Sequence, residues 1–123
     1  DVRRREKVGM IAFGPLAGGV LTGKYLGGVP ADSRAGHDPR YLKPASITED
    51  KLKKVRALAS VAAARQQTLS QLALNWVLRD DVVTSALIGA SRPEQVAENV
   101  RALSAPPFEA AELETIERIL AGD

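Results

Sequence analysis

IAFGPLAGGVLTGKY, residues 11–25, begins as a short apolar run and turns abruptly into bare backbone. Ile11, Ala12 and Phe13 have the character of a strand buried on both faces. Gly14-Pro15, the Gly18-Gly19 pair and Thr22-Gly23-Lys24 then make a loop with few Cβ atoms and a cation near its end. A strand running into such a loop is how open α/β sheets and β/α barrels begin their binding sites. The strand is read over Val8 to Phe13, and a long polar connection follows from about Leu26 to Ile47. With Gly27-Gly28, Pro30, Gly36, Pro39 and Pro44, that connection is expected to lack regular structure and to be functional or mobile.

Working outward, residues 1–7 read as the basic last turn of a helix, carrying Arg3-Arg4-Arg5. Downstream, Thr48 offers an N-cap with Glu49 and Asp50 in the first turn. Leu52, Val55, Leu58, Ala59 and Ala62 then recur at helical spacing. Thr68 and Gln71 match a capping box, ahead of the stripe Leu69, Leu72, Ala73, Trp76 and Val77. Trp76 is read as core packing, and Asp80-Asp81 as the close of the helix. Val82 to Ile88, rich in β-branched residues, is a second strand. Gly89-Ala90 turns the chain into a third helix from Ser91, with Glu94 as its capping-box partner and Val96, Val100 and Leu103 toward the core. Beyond Pro106-Pro107, Leu113, Ile116 and Leu120 stripe a terminal helix. This alternation predicts an α/β chain with two parallel strands and flanking helices. Two such strands have two open edges and make a poor complete fold, so the chain is expected to be part of something larger.

Composition narrows the function. The chain has 123 residues, 45% of them hydrophobic, with formal charge +2, which marks a globular protein. Its cations are scattered, without the basic face a nucleic-acid partner needs. There is no cysteine, and the lone His37 lies in a polar loop, so no metal site is read. No apolar run approaches the roughly 20 residues of a membrane helix, and DVRRREKVG does not resemble a secretion signal. A soluble, cytoplasmic chain is expected.

Both loops that follow strands have the chemistry to meet an anion. Gly18 to Lys24 matches G-x-x-x-x-G-K, most of a P-loop. Tyr25, however, stands where the Mg²⁺-binding hydroxyl should be, and Lys24 leads into LGGVPADSRAG in place of a helix. The glycines can still present successive N–H groups to phosphate oxygens, with charge from Lys24 and Arg34. The competing reading is that they only satisfy positive φ in a tight connection. In the second loop, Ser91 and Arg92 sit at a helix N-terminus, which favours anions. Gln95, Glu98 and Asn99 share one helical face, where a carboxylate beside amides can bond the edge of a purine. A solvated face would carry the same residues.

FGPLAGGVLTGKY, residues 13–25, resembles the loop written FSPLAxGxLTGKY in the aldo-keto reductases. IGASRPEQVAENV, residues 88–100, is similar to that family's IxGASxxxQxxEN segment, and SQLALNWVLRD between them is characteristic in type and placement. The resemblance implies the C-terminal portion of an eightfold β/α barrel: its last two strands, preceded by the end of a helix at residues 1–7. It implies NADPH held at the C-terminal ends of those strands. Pro15, Leu16, Ala17, Gly19, Thr22 and Lys24 would then line the pyrophosphate and ribose, with Arg34 helping to clamp the phosphates. Gly89, Ser91, Arg92 and Gln95 would surround the 2′-phosphate and adenosine ribose, and Glu98 with Asn99 would hold the adenine. Arg92 would favour NADP(H) over NAD(H) on charge grounds.

Gly14 departs from the family pattern, which has Ser there. The family's catalytic Tyr, Asp, Lys and His have no counterpart: neither Tyr25, Tyr41 nor His37 sits in a matching context, so no catalytic residue is assigned. The expectation is therefore the cofactor-binding third of a reductase of small-molecule carbonyl compounds, as a truncated reading frame or part of a larger protein. The alternative is a non-catalytic NADP-binding module like the family's cytoplasmic channel subunits. The resemblance leaves a homo-oligomer open.

Overall fold

The computed structural model describes residues 2–38, 40 and 42–122, and of Arg34 the backbone alone. Pro39 and Tyr41, noted above, lie outside the described residues. In chain order the elements are α1 (Val2–Glu6), β1 (Ile11–Phe13), α2 (Arg34–His37), α3 (Glu49–Ala64), α4 (Leu69–Val77), β2 (Ser85–Leu87), α5 (Pro93–Val100) and α6 (Ala110–Ala121). Three 3₁₀ segments, Ala17–Thr22, Pro44–Ser46 and Arg101–Ser104, tighten the connections. No described helix is long and apolar enough to cross a membrane.

β1 and β2 pair in parallel, with Ile11 opposite Ser85, Ala12 opposite Ala86 and Phe13 opposite Leu87. Both strands are shorter than expected, and local hydrogen bonds explain why. The Met10 amide is taken by the Thr84 hydroxyl at 3.2 Å, and the Val8 amide returns to the Arg3 carbonyl at 3.0 Å. At the other strand, the Asp80 carboxylate accepts from the Val82 amide at 2.9 Å, which holds the start of that segment in a turn. The expectation of strands buried on both faces is also corrected. Ile11 is 68% exposed and Phe13 87%, because no described element covers that face of the pair. The connection expected to be irregular contains α2 and the Pro44–Ser46 turn.

The core lies among the helices. Val55, Leu58 and Ala62 of α3, Leu69 and Leu72 of α4, and Ile116 of α6 form one buried cluster. Each large apolar side chain so buried contributes roughly 1.5–3 kcal/mol. Trp76 packs on this cluster as expected, with the Arg79 guanidinium 3.9 Å from its ring centroid. Val20, Leu21 and Leu26 also pack against it, so the glycine loop is anchored to the helical layer. The caps follow the sequence. The Thr48 hydroxyl accepts from the Lys51 amide at 3.3 Å, and Thr68 and Gln71 close a reciprocal box.

Two helical faces are rotated from expectation. Val96 is 45%, Val100 56% and Leu103 72% exposed, while Asn99 and Ala102 are buried. α5 turns its polar face onto α4 because Gln71 and Thr68 both hydrogen-bond Glu98. On α6, Ile119 packs against the core beside Ile116, and Leu120 is exposed.

Arg65, just past α3, ties the last third of the chain to the core. Its side chain is 5% exposed, a position that a guanidinium tolerates only when fully paired. It lies 4.2 Å from the Phe108 ring centroid and donates to Gln67 Oε1 at 2.9 Å. Further donations go to the Pro106 carbonyl at 2.6 Å and to the Glu112 carboxylate. The Glu109 amide, at 2.7 Å, is the main cause holding the Glu112 carboxyl below its ordinary range, followed by Arg65. A carboxylate so depressed stabilises the fold above the ordinary pKa of 4.5, and that contribution fades as pH falls through the lowered value. Glu112→Gln should therefore cost about 1–2 kcal/mol at pH 7. Urea denaturation should show the gap between variant and wild type closing in acid, and a gap independent of pH would contradict this.

Candidate functional site

Because β1 and β2 are parallel and in register, the chain leaves the sheet at Gly14 and at Ile88 on the same edge. The two following loops bound one cleft of about 680 Å³, within the range of roughly 300–1,000 Å³ for small-molecule and cofactor sites. Of the residues singled out from the sequence, Pro15, Leu16, Gly19, Thr22 and Lys24 line one side. Gly89, Ser91, Arg92, Gln95, Glu98 and Asn99 line the other. Ala17 does not line the cleft, and the Arg34 side chain lies outside the described part of the structure.

The first wall is a kinked 3₁₀ turn in which Gly18 and Gly19 both adopt positive φ. At Gly19, with φ +99°, a Cβ would collide with the Lys24 side chain, which arches over the bare backbone. Lys24 continues into a turn, not a helix, which removes the P-loop reading on structural grounds. The Thr22 hydroxyl donates to the Gly19 carbonyl at 2.7 Å and fixes the turn from within. Gly14, where the family pattern has Ser, has φ +64° and open space around its Cβ position. A side chain would fit there but would strain the backbone.

Tyr25 was given no role from the sequence, and it holds this wall to the rest of the site. It is 1% exposed. Its hydroxyl accepts from the Ala35 amide at 3.3 Å and reaches the Gly18 carbonyl at 3.5 Å. That bridge fastens the long connection to the glycine loop, and it brings Asp32, Ser33, His37 and Asp38 to the cleft rim. Ser70, buried on α4, completes the floor. None of these five carried a sequence signal: four sit in a stretch without periodicity, and Ser70 falls off the apolar stripe of its helix.

The second wall differs from the expected arrangement by one residue. Pro93 takes the first helical position, which it favours, so Arg92 is the N-cap and Gln95, not Glu94, is three residues on. The Gln95 side chain turns back over the helix end. Its Oε1 accepts from the Ser91 amide at 2.8 Å, the Arg92 amide at 3.2 Å and the Ser91 hydroxyl at 3.3 Å. The amides read as free for an anion are thus satisfied within the chain. Three donors nevertheless converge on one oxygen position, which is the geometry an anionic oxygen requires. Arg92 is exposed beside it. Further along α5, Asn99 is 7% exposed and the Glu98 carboxylate accepts from the Thr68 hydroxyl at 2.7 Å. Among the described residues, no group of three or more His, Cys, Asp or Glu could hold a metal ion.

The bridge makes a direct test possible. Tyr25→Phe leaves the buried Ala35 amide without its acceptor, at a cost of about 1–3 kcal/mol. Amide exchange at residues 33–37 should accelerate; unchanged exchange there would show that the phenol does not hold the connection.

Comparison with known proteins agrees with this architecture. The aldo/keto reductase family profile matches residues 1–121. The L-glyceraldehyde 3-phosphate reductase of Escherichia coli strain K12 is 49% identical over 124 residues, which cover 98% of this chain and 36% of that protein. A probable voltage-gated potassium channel subunit beta of Oryza sativa subsp. japonica is 40% identical over 103 residues, covering 82% of this chain and 31% of that one. Among solved structures, the glycerol dehydrogenase of Gluconobacter oxydans superposes with a TM-score of 0.74 at 29% identity, covering 98% of this chain and 36% of that one. The chain therefore spans about a third of the length of these relatives.

Proposed function

The chain belongs to the aldo/keto reductase family, and from that premise we propose that it is the dinucleotide-holding portion of an NADPH-dependent carbonyl reductase. Its two parallel strands and flanking helices are the C-terminal portion of an eightfold β/α barrel. The observation that supports the proposal best is the single cleft formed by two loops about seventy residues apart in sequence.

In this reading Pro15, Leu16, Gly19, Thr22 and Lys24 hold the pyrophosphate and its ribose. Ala17 shapes the turn behind them, and Arg34 adds charge from the connection. Gly89, Ser91, Arg92 and Gln95 receive the 2′-phosphate end. An anionic oxygen that takes the place of Gln95 Oε1 would meet three donors already aimed at it, and the exposed Arg92 side chain on the same cleft would add charge. Asn99 and Glu98 face the adenine. When bound, NADPH supplies the hydride that reduces an aldehyde or ketone. The residues of this chain orient it and hold it against solvent. Reduction also requires a proton, and no tyrosine of this chain is assigned that task; Tyr25 is buried in its structural bridge. Similarity to a glyceraldehyde 3-phosphate reductase inclines the substrate toward small, sugar-derived aldehydes.

A second reading, a non-catalytic dinucleotide-binding module, draws support from the relatives named as potassium channel beta subunits. Both readings need the same cleft and part only at turnover.

Titrating the purified chain with NADPH and NADH, followed by dihydronicotinamide fluorescence, tests the proposal. Arg92→Ala should weaken NADPH by about tenfold or more, one charge-assisted contact, and leave NADH nearly unchanged. An equal loss for both would refute the role given to Arg92. The 123-residue chain alone should reduce no carbonyl compound, and measurable turnover would show that a residue of this chain donates the proton.

A further inference from the structure

The capping box of α4 and the proposed base-binding carboxylate of α5 belong to one hydrogen-bond network. Within the box, the Thr68 hydroxyl oxygen accepts from the Gln71 amide at 3.3 Å, and Gln71 Oε1 accepts from the Thr68 amide at 3.1 Å. Each side chain still has a donor that the box does not use. The Thr68 hydroxyl hydrogen goes to Glu98 Oε1 at 2.7 Å, within the range of a charge-assisted bond. The Gln71 side-chain amide goes to the Glu98 carbonyl at 2.9 Å. Glu98 is thereby held at its backbone and at its carboxylate by two residues of a neighbouring helix.

A box needs neither of these bonds to cap its helix. Their common target is a half-buried carboxylate on the cleft wall, beside the buried Asn99. An unheld glutamate on a helix surface would spread over several rotamers. With Oε1 committed to Thr68, Oε2 is the acceptor that remains for a ligand.

We infer that the Thr68–Gln71 capping box is a positioning device for nucleobase recognition, holding Glu98 so that its carboxylate selects a base edge bearing an amino group. The inference rests on the dinucleotide reading above. A carboxylate only accepts hydrogen bonds, so the matching edge must donate. Adenine does so through its exocyclic amine, whereas hypoxanthine presents a carbonyl at the same place. Thr68 acts through Glu98 and is a positioning residue.

The experiment is an equilibrium titration of the full chain with NADPH and with its hypoxanthine counterpart, read by dihydronicotinamide fluorescence. Thr68→Ser keeps both the cap and the hydroxyl hydrogen. Thr68→Asp keeps a capping acceptor but removes the donor and opposes Glu98 with like charge. Wild type and Thr68→Ser should prefer the adenine dinucleotide by about tenfold. Thr68→Asp should bind NADPH about tenfold more weakly, with the hypoxanthine form little changed and thermal stability close to wild type. Thr68→Val, which lacks the donor without adding charge, should show the same collapse of preference. A preference that survives in both variants, or an equal loss for both dinucleotides, overturns the inference and leaves the cofactor assignment standing. Failure of the wild type to bind either dinucleotide overturns both.

Discussion

The parallel pairing of Ile11–Phe13 with Ser85–Leu87 is the constraint on which the site depends. Parallel neighbours lie about 4.8 Å apart and end at the same edge. Segments more than seventy residues apart in sequence therefore leave the sheet side by side. An antiparallel pairing would put the glycine loop and the amide-bearing helix end at opposite edges. Only three residues of each strand pair, so most of the rigidity has to come from elsewhere. Val20 and Leu21 supply it on one side by packing into the helical core. Gln71 and Thr68 supply it on the other by gripping Glu98.

The connection between the first strand and α3 shows how one buried polar group can organise a segment without periodicity. Ala35 and Ser33 are buried although their stretch is rich in glycine and proline. Tyr25 provides the hydroxyl that satisfies the Ala35 amide, and the Ser33 hydroxyl donates to the Pro30 carbonyl and accepts from the Gly36 amide. The consequence for the cleft is a rim carrying both signs of charge, with Asp32 and Asp38 lining it along with Lys24 and Arg92, Asp38 paired with Arg40 at 2.8 Å. Such a rim limits how far cations alone can determine what binds, and it gives more weight to the converging donors at Ser91 and Arg92.

Much of this was legible from residue order. The Thr48 and Thr68 caps, the α4 stripe and the alternation of strand and helix follow from local chemistry, and the structure agrees with them. The pair of motifs around SQLALNWVLRD also carried the family. What misled was context. Val96, Val100 and Leu103 form a correct amphipathic stripe, yet no described element covers it, so the helix lies on its polar face. Ile11 and Phe13 read as buried because apolar strands usually are, and here no described element covers their face. The Gln95 side chain that fills the α5 end could not be foreseen from spacing alone, since Glu94 offered an equally good match until Pro93 set the register. Tyr25 had no visible partner because Ala35 contributes only a backbone amide.

In the reading proposed above, both loops hold one dinucleotide. Amide hydrogen exchange across an NADPH titration tests it most directly. Exchange should slow in residues 14–24 and in residues 89–99, with one common midpoint for both segments. Protection confined to a single segment, or two segments responding at clearly different concentrations, would contradict it.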